Sequence, residues 1–408
     1  MAAKLLLVLC LGALYAQYYV SKTGGLYESV FELVAASKLP SSNATFRTAY
    51  TGIESVDRIL SYLIKYRWPL SDGSDPALTP IAISYFGAIS AIWTLLLLEG
   101  YRNGNKGRAI SFPTLFATLG QLLPFAFTTC LYCALHLWNS ATAHSATRQD
   151  LKVPRAVLTS LPAITLAGFI ASTVTILAPI SADYKQGLLA ACTAWPGFAL
   201  VLLFVVDLGL LQGATEDAAP GYADTTATAT ALKDSRYARL LRIVYGITFL
   251  AAAIAYFAGS IIPLASFALP EAFPFRVTVL DYAVGLLGSS SSATPGTSAT
   301  NALYWSLASD YILSSLGVLI WAWALSRSTN LNSPTEIWKL VLLAIFAGPV
   351  AAAVWMFWER EWAILGFNRS SHLSVSFDGD VKVNGRPRGG SGMRIGKWER
   401  GGKVLVLP

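Results

Sequence analysis

Long apolar runs recur from one end of this chain to the other, and they constrain its fold more than any other feature. They cover roughly residues 4–20, 80–99, 111–137, 156–179, 188–212, 243–262, 303–326 and 337–358. Each is at or near the ~20 apolar residues that a helix needs to cross about 30 Å of hydrocarbon. Backbone polar groups in lipid must be satisfied within the chain, so each run is read as a helix. The expected fold is all-α, a polytopic membrane helix bundle with about seven or eight transmembrane helices. Composition agrees: only 13% of the residues are charged, against about 25% in a soluble domain.

The runs divide the chain into four parts. Residues 1–22 form an N-terminal transmembrane helix or signal anchor. Residues 23–79 form a loop that carries an amphipathic helix at 52–67, residues 80–362 a seven-helix transmembrane core, and residues 363–408 a basic, Gly-rich tail. The tail holds eight Lys and Arg against three Asp and Glu, which is most of the net charge of +7. No basic, aromatic-interleaved domain exists elsewhere, so a nucleic-acid partner is excluded. Alternation around Asp378-Gly379 predicts a hairpin in the tail. Residues 214–236, rich in Ala, Thr and Asp, read as disordered. Trp93, Trp138 and Trp338 fall near span ends, where an aromatic belt is expected. Cys130 and Cys133 stand one helical turn apart with no second pair, which favours packing over a metal or redox role.

The helix at 52–67 is unusual. Ile53, Val56, Ile59, Leu60, Leu63 and Ile64 repeat at helical spacing, and Glu54, Asp57, Arg58, Ser61 and Lys65 make a polar stripe opposite them. The simpler expectation lays this helix on the membrane surface with its stripe in water. The other turns the stripe towards a cavity between spanning helices.

Ionisable groups at membrane depth cost about 2.5–3.5 kcal/mol to insert, so they are candidates for function. Asp207 and Asp310 lie inside spans. Glu99, with Arg102 three residues on, and Glu359, beside Arg360, lie near span ends and read equally as interfacial ion pairs. The three histidines, His136, His144 and His372, are far apart, which excludes a His-clustered di-iron enzyme. No acidic cluster is available to hold magnesium against a diphosphate. No metal and no cofactor is therefore expected. What remains is a chamber with isolated acids among 12 Trp, 18 Tyr and 19 Phe. A buried carboxylic acid kept neutral by apolar surroundings can protonate an alkene or epoxide. Aromatic faces then stabilise the resulting cation.

The stretch from 50 to 125 carries a resemblance. It reads Tyr50-Thr-Gly-Ile-Glu-Ser-Val-Asp57, then Trp68-Pro-Leu-Ser-Asp72-Gly73, then Glu99-Gly-Tyr-Arg102-Asn-Gly-Asn105-Lys, then Phe112-Pro-Thr. Over residues 45–360 the chain resembles the fungal membrane-bound terpene cyclases typified by the ascochlorin-pathway cyclases. The resemblance implies a lipophilic, farnesyl-bearing meroterpenoid substrate, cyclised by protonation without a metal, in secondary metabolism. It also implies a bilayer, with the endoplasmic reticulum the expected membrane. The residues it carries across are Glu54, Asp57, Asp72, Glu99 and Arg102. The candidate proton donors, in order, are then Asp57, Glu99, Glu54, Asp207 and Asp310, with Asp72 and Arg102 as substrate-binding candidates. A carrier of a lipophilic metabolite, or a non-catalytic membrane scaffold, is the competing expectation. Substrate, product stereochemistry and oligomeric state stay open.

Overall fold

The structure, a computed structural model, describes residues 1–23, 25–28, 38–39, 44–72, 78–178, 180–216, 226–269, 271, 298–327 and 334–366. Residues 20, 207–216, 226–234, 266–267, 298–301 and 334–336 are described as backbone alone. The chain forms two units, Met1–Phe367 and Asn368–Pro408. The second, with the expected hairpin at Asp378-Gly379, lies outside the described residues.

Twelve helices of ten or more residues stand among the described residues of the first unit: α1 (Ala2–Thr23), α2 (Glu54–Arg67), α3 (Leu78–Gly100), α4 (Pro113–Leu122), α5 (Phe125–Asn139), α6 (Arg155–Leu177), α7 (Ala182–Thr193), α8 (Trp195–Glu216), α9 (Thr226–Ala268), α10 (Ser298–Ser326), α11 (Pro334–Phe346) and α12 (Pro349–Leu365). Helix α3 is the axis, buried along most of its length and packed by α6, α9 and α10. Small residues let α3 and α9 approach closely: Ser84 and Gly87 face Ala255 and Gly259. The outer helices turn large apolar side chains outward, such as Leu11 on α1, Ile170 on α6, Phe204 on α8, Phe257 on α9 and Ile345 on α11. Apolar surface of that extent fits an integral membrane protein.

Five helices are long and apolar enough to cross a membrane among the described residues, or six when the bent pair Ala182–Thr193 and Trp195–Val206 counts as one span. The expected count of seven or eight is not confirmed among the described residues, because three of the expected runs are broken. Pro124 splits 111–137 into α4 and α5, since proline lacks an N–H and pushes Leu123 out of the helical region. The run 188–212 bends by 62° between α7 and α8. Gly348, at φ 93°, with Pro349 after it, separates α11 from α12. A Cβ at Gly348 would also lie 2.7 Å from the Tyr256 ring.

Two local expectations change. Helix α9 already begins at Thr226, inside the stretch read as disordered, and its alanines favour that extension. Trp93 is buried in the bundle rather than in a belt, whereas Trp138 and Trp338 are exposed.

Helix α2 forms as expected, but its polar stripe turns inward. Asp57, Ser61 and Lys65 are buried, while Ile53, Val56 and Ile59 are 58%, 38% and 48% exposed. The stripe finds partners inside. Lys65 Nζ stands 4.0 Å over the Phe46 ring, and a small core of Leu39, Phe46, Ile64, Trp68 and Leu189 closes beneath the helix. The Glu54–Arg58 pair remains exposed at the helix start.

Candidate active site

Two cavities lie side by side where α2, α3 and α4 meet. One, of about 280 Å3, is walled by Phe86, Trp93, Phe125, Trp195 and Phe198 together with α6 and α7. The other, of about 250 Å3, is walled by Gln17, Tyr18, Tyr62, Tyr66, Ser306 and Asp310. Both touch Arg67, Leu70, Tyr85, Phe86, Gly120 and Gln121. With those six residues as a common wall they are taken as two lobes of a chamber, whose combined volume falls in the usual range for a ligand site, about 300–1,000 Å3. Close packing shapes the aromatic lobe: a Cβ at Gly168 would lie 2.8 Å from Trp195 Nε1.

Asp310 enters the second lobe from α10, 7% exposed. The break at Pro124 explains what it meets there. The first amides of a helix have no partner within it, and Pro124 offers α5 no side-chain cap. Asp310 supplies the missing acceptor, its Oδ2 receiving the Phe125 N–H at 3.0 Å and its Oδ1 the Ala126 N–H at 2.7 Å. The positive end of the α5 dipole stabilises a carboxylate at this point. Tyr85 Oη completes the shell at 2.5 Å from Oδ2. Nearby, Tyr66 Oη lies 2.7 Å from Ser306 Oγ, which donates to Gln17 Oε1 at 2.5 Å. An acid with its conjugate base held by amides, a phenol beside it and aromatic walls around can move a proton to an apolar ligand and tolerate a cation.

Glu99 and Arg102 are brought together, but elsewhere. Arg102 Nε lies 2.8 Å from Glu99 Oε1, angled as an ion pair rather than a hydrogen bond. Arg102 Nη1 donates to Glu361 Oε1 at 2.5 Å and to the Leu151 carbonyl at 2.8 Å. Tyr245 donates to Glu361 Oε2 at 2.5 Å. Arg360 Nη1 stands 4.0 Å from Glu99 Oε1. His136 Nε2 lies 3.2 Å from Glu99 Oε2, and Trp321 Nε1 donates to His136 Nδ1 at 3.1 Å. That last bond leaves Nε2 to carry the proton of a neutral imidazole. Glu99, Arg102 and Glu361 are fully buried rather than interfacial, and none of these residues lines either lobe. Two guanidinium groups balance two carboxylates, so the cluster ties α3, α5, α9 and α12 without net charge.

The remaining expected residues are scattered. Asp57 Oδ1 accepts from the Tyr50 and Thr51 amides at 3.1 and 2.7 Å and from Thr51 Oγ1 at 2.8 Å, and Oδ2 accepts from Gly52 at 3.0 Å. The Thr51 amide foremost, with the Thr51 hydroxyl and the Tyr50 and Gly52 amides, holds its carboxyl below the usual aspartate range. Glu54 pairs with Arg58 at 2.6 Å on the exposed surface. Asp72 follows Ser71, whose carbonyl accepts from Lys185 Nζ. None of these three lines either lobe. Asp207 lies on α8, and its side chain is outside the described residues.

Sequence reasoning missed Tyr85, Tyr66, Arg67 and Gln121 in the chamber, and His136 and Glu361 in the ion cluster. The available signal was polarity inside the apolar runs: Tyr85, Gln121 and His136 each interrupt one. The Cys130–Cys133 pair is buried with free thiols. Among the described residues no three His, Cys, Asp or Glu side chains gather in a way that could hold a metal.

Comparison with known proteins places this geometry. A model of the CtvD domain matches residues 1–365. The terpene cyclase ctvD of Aspergillus terreus is 25% identical over 372 residues, covering 88% of this chain and 99% of that protein. The terpene cyclase ascI of Acremonium egyptiacum is 26% identical over 379 residues, covering 88% and 92%. The terpene cyclase verU1 of Penicillium polonicum is 26% identical over 208 residues, covering 50% and 56%. No solved structure matches. The domain match spans nearly the whole helical unit, chamber and ion cluster included, and the chain belongs to the CtvD-domain family of fungal terpene cyclases.

Proposed function

We propose that the chain is an integral membrane terpene cyclase of the endoplasmic reticulum, acting on a farnesyl-bearing meroterpenoid alkene or its epoxide. The observation that carries this reading is the Asp310–Tyr85 pair on the wall of an aromatic chamber. Asp310 is the acid. Tyr85 lines both lobes. With Asp310 protonated, the Tyr85 hydroxyl takes the proton of Asp310 as it hands its own to the substrate. An alkene protonated at its less substituted carbon becomes a tertiary cation, and a protonated epoxide reaches one by breaking a C–O bond. The remaining double bonds attack in turn. Loss of a proton ends the cascade and restores the acid. The amides of Phe125 and Ala126 stabilise the carboxylate left behind, and Trp93, Trp195 and Phe86 present π faces to the migrating charge.

This sequence is redox-neutral, so product and substrate have the same mass. Microsomes that contain the chain, fed a farnesylated phenol and its terminal epoxide, should form an isomer of one of them, and EDTA should leave the yield intact. Loss of yield that magnesium restores would point to diphosphate ionisation instead. Tight binding without any isomer would favour a carrier.

A further inference from the structure

Arg67 is the charged group in the chamber that proton transfer leaves unused. It stands at the end of α2, on the wall common to both lobes. Two other helices fix its guanidinium. Nη1 donates to Thr193 Oγ1 of α7 at 2.8 Å, and Nη2 donates to Gln121 Oε1 of α4 at 2.7 Å. Both acceptors are neutral, and no carboxylate lies within ion-pair distance among the described residues. The contrast with Arg102 and Arg360, which share two carboxylates, is sharp.

An uncompensated cation beside an apolar chamber is costly. It also opposes the proposed chemistry, since a fixed positive charge raises the energy of a carbocation formed near it. Both costs disappear when the ligand brings a negative charge to the guanidinium. Gln121 and Thr193 fix the guanidinium while taking only two of its five N–H donors, and the remaining donors suit an oxygen anion. We infer that Arg67, positioned by Gln121 and Thr193, anchors an acidic oxygen, such as a phenol, enol or carboxylic acid, on the non-terpenoid head of the substrate. The assignment rests on the cyclase reading above and deepens it. The head is held at Arg67 and the reacting end at Tyr85, with the prenyl chain folded between them along Phe86. Neutralising Arg67 then becomes part of substrate recognition, and a head without an acidic oxygen is rejected because it leaves the charge bare.

The test is equilibrium binding of two tritiated ligands to the detergent-solubilised full chain. One is farnesylated 4-hydroxybenzoic acid. The other is its methyl ether methyl ester, in which neither oxygen can ionise. The natural chain should bind the acid at least about tenfold more tightly, as expected for a charge-assisted hydrogen bond. Arg67→Gln should close the gap to within about twofold by weakening the acid alone. Arg67→Lys, which keeps the charge but loses the fork, should retain a smaller gap. Equal binding of the two ligands by the natural chain overturns the assignment, and so does an undiminished gap in either variant. Because the readout is binding, the two readings fail separately. Selective binding without product would leave the anchor standing and remove the cyclase. Equal cyclisation of equally bound ligands would do the reverse.

Discussion

The Tyr85 hydroxyl lies 2.5 Å from Oδ2 of Asp310, joining α3 to α10 at the wall of the chamber. The same carboxylate caps the first amides of α5. One side chain therefore serves a helix start, a phenol and a cavity at once. Asp310→Asn keeps an oxygen for capping but has no acidic proton. Product yield per unit of membrane protein should fall by about 10²–10⁴-fold. Tyr85→Phe should fall less, since Asp310 itself still lines the second lobe. Near-normal yield from Asp310→Asn, in a chain that accumulates normally, would place the donor elsewhere.

The ion cluster predicts a different phenotype. Glu99→Gln and Glu361→Gln each leave buried guanidinium groups short of a partner, and Arg102→Ala takes from Glu99 and Glu361 the guanidinium they share. Breaking one member of a buried pair costs about 3–5 kcal/mol. These variants should lower the thermal midpoint and the membrane level of the protein. Yield per folded molecule should change little. A Glu99→Gln chain with normal thermal stability and no product would return Glu99 to the list of proton donors.

Asp57 should behave as a local clamp. Its folded-state pKa is depressed, so its stabilising contribution is complete above the ordinary aspartate value, about 4. That contribution is lost as pH falls through the lower folded value. Hydrogen exchange at the amides of Tyr50, Thr51 and Gly52, corrected for intrinsic rate, should therefore accelerate only on strong acidification. In Asp57→Asn it should be fast at every pH, while cyclisation by the folded fraction persists. Protection of these amides in the variant would contradict the clamp.

Gly168 tests the shape of the aromatic lobe. Gly168→Val must push the Trp195 indole from its place, because even a Cβ there lies 2.8 Å from Nε1. A misplacement of about 1 Å can cost up to about 10²-fold in rate. The expected outcome is reduced yield with a shift towards less fully cyclised products. An unchanged product profile would remove Trp195 from the chamber's working surface.

Hydropathy is a property of one segment at a time, and what depends on it was legible in the sequence. The apolar runs, the helix at 52–67 and the membrane bundle all follow from local composition and period. Similarity of short motifs was enough to reach the family. Partners are a property of two segments, and these only the tertiary structure decided. Asp310 meets the α5 amides 184 and 185 positions away, and Arg102 meets Glu361 at a separation of 259. No period links them. The same reason explains why α2 turned its polar stripe inward: its amphipathic pattern is symmetrical between water outside and partners inside. Gln121 and Thr193 for Arg67, and the Phe46 ring for Lys65, settle the direction. Breaks such as Pro124 lay in plain view as letters. Their effect is to free amides for a distant carboxylate, and that exists only once α10 has packed against α5.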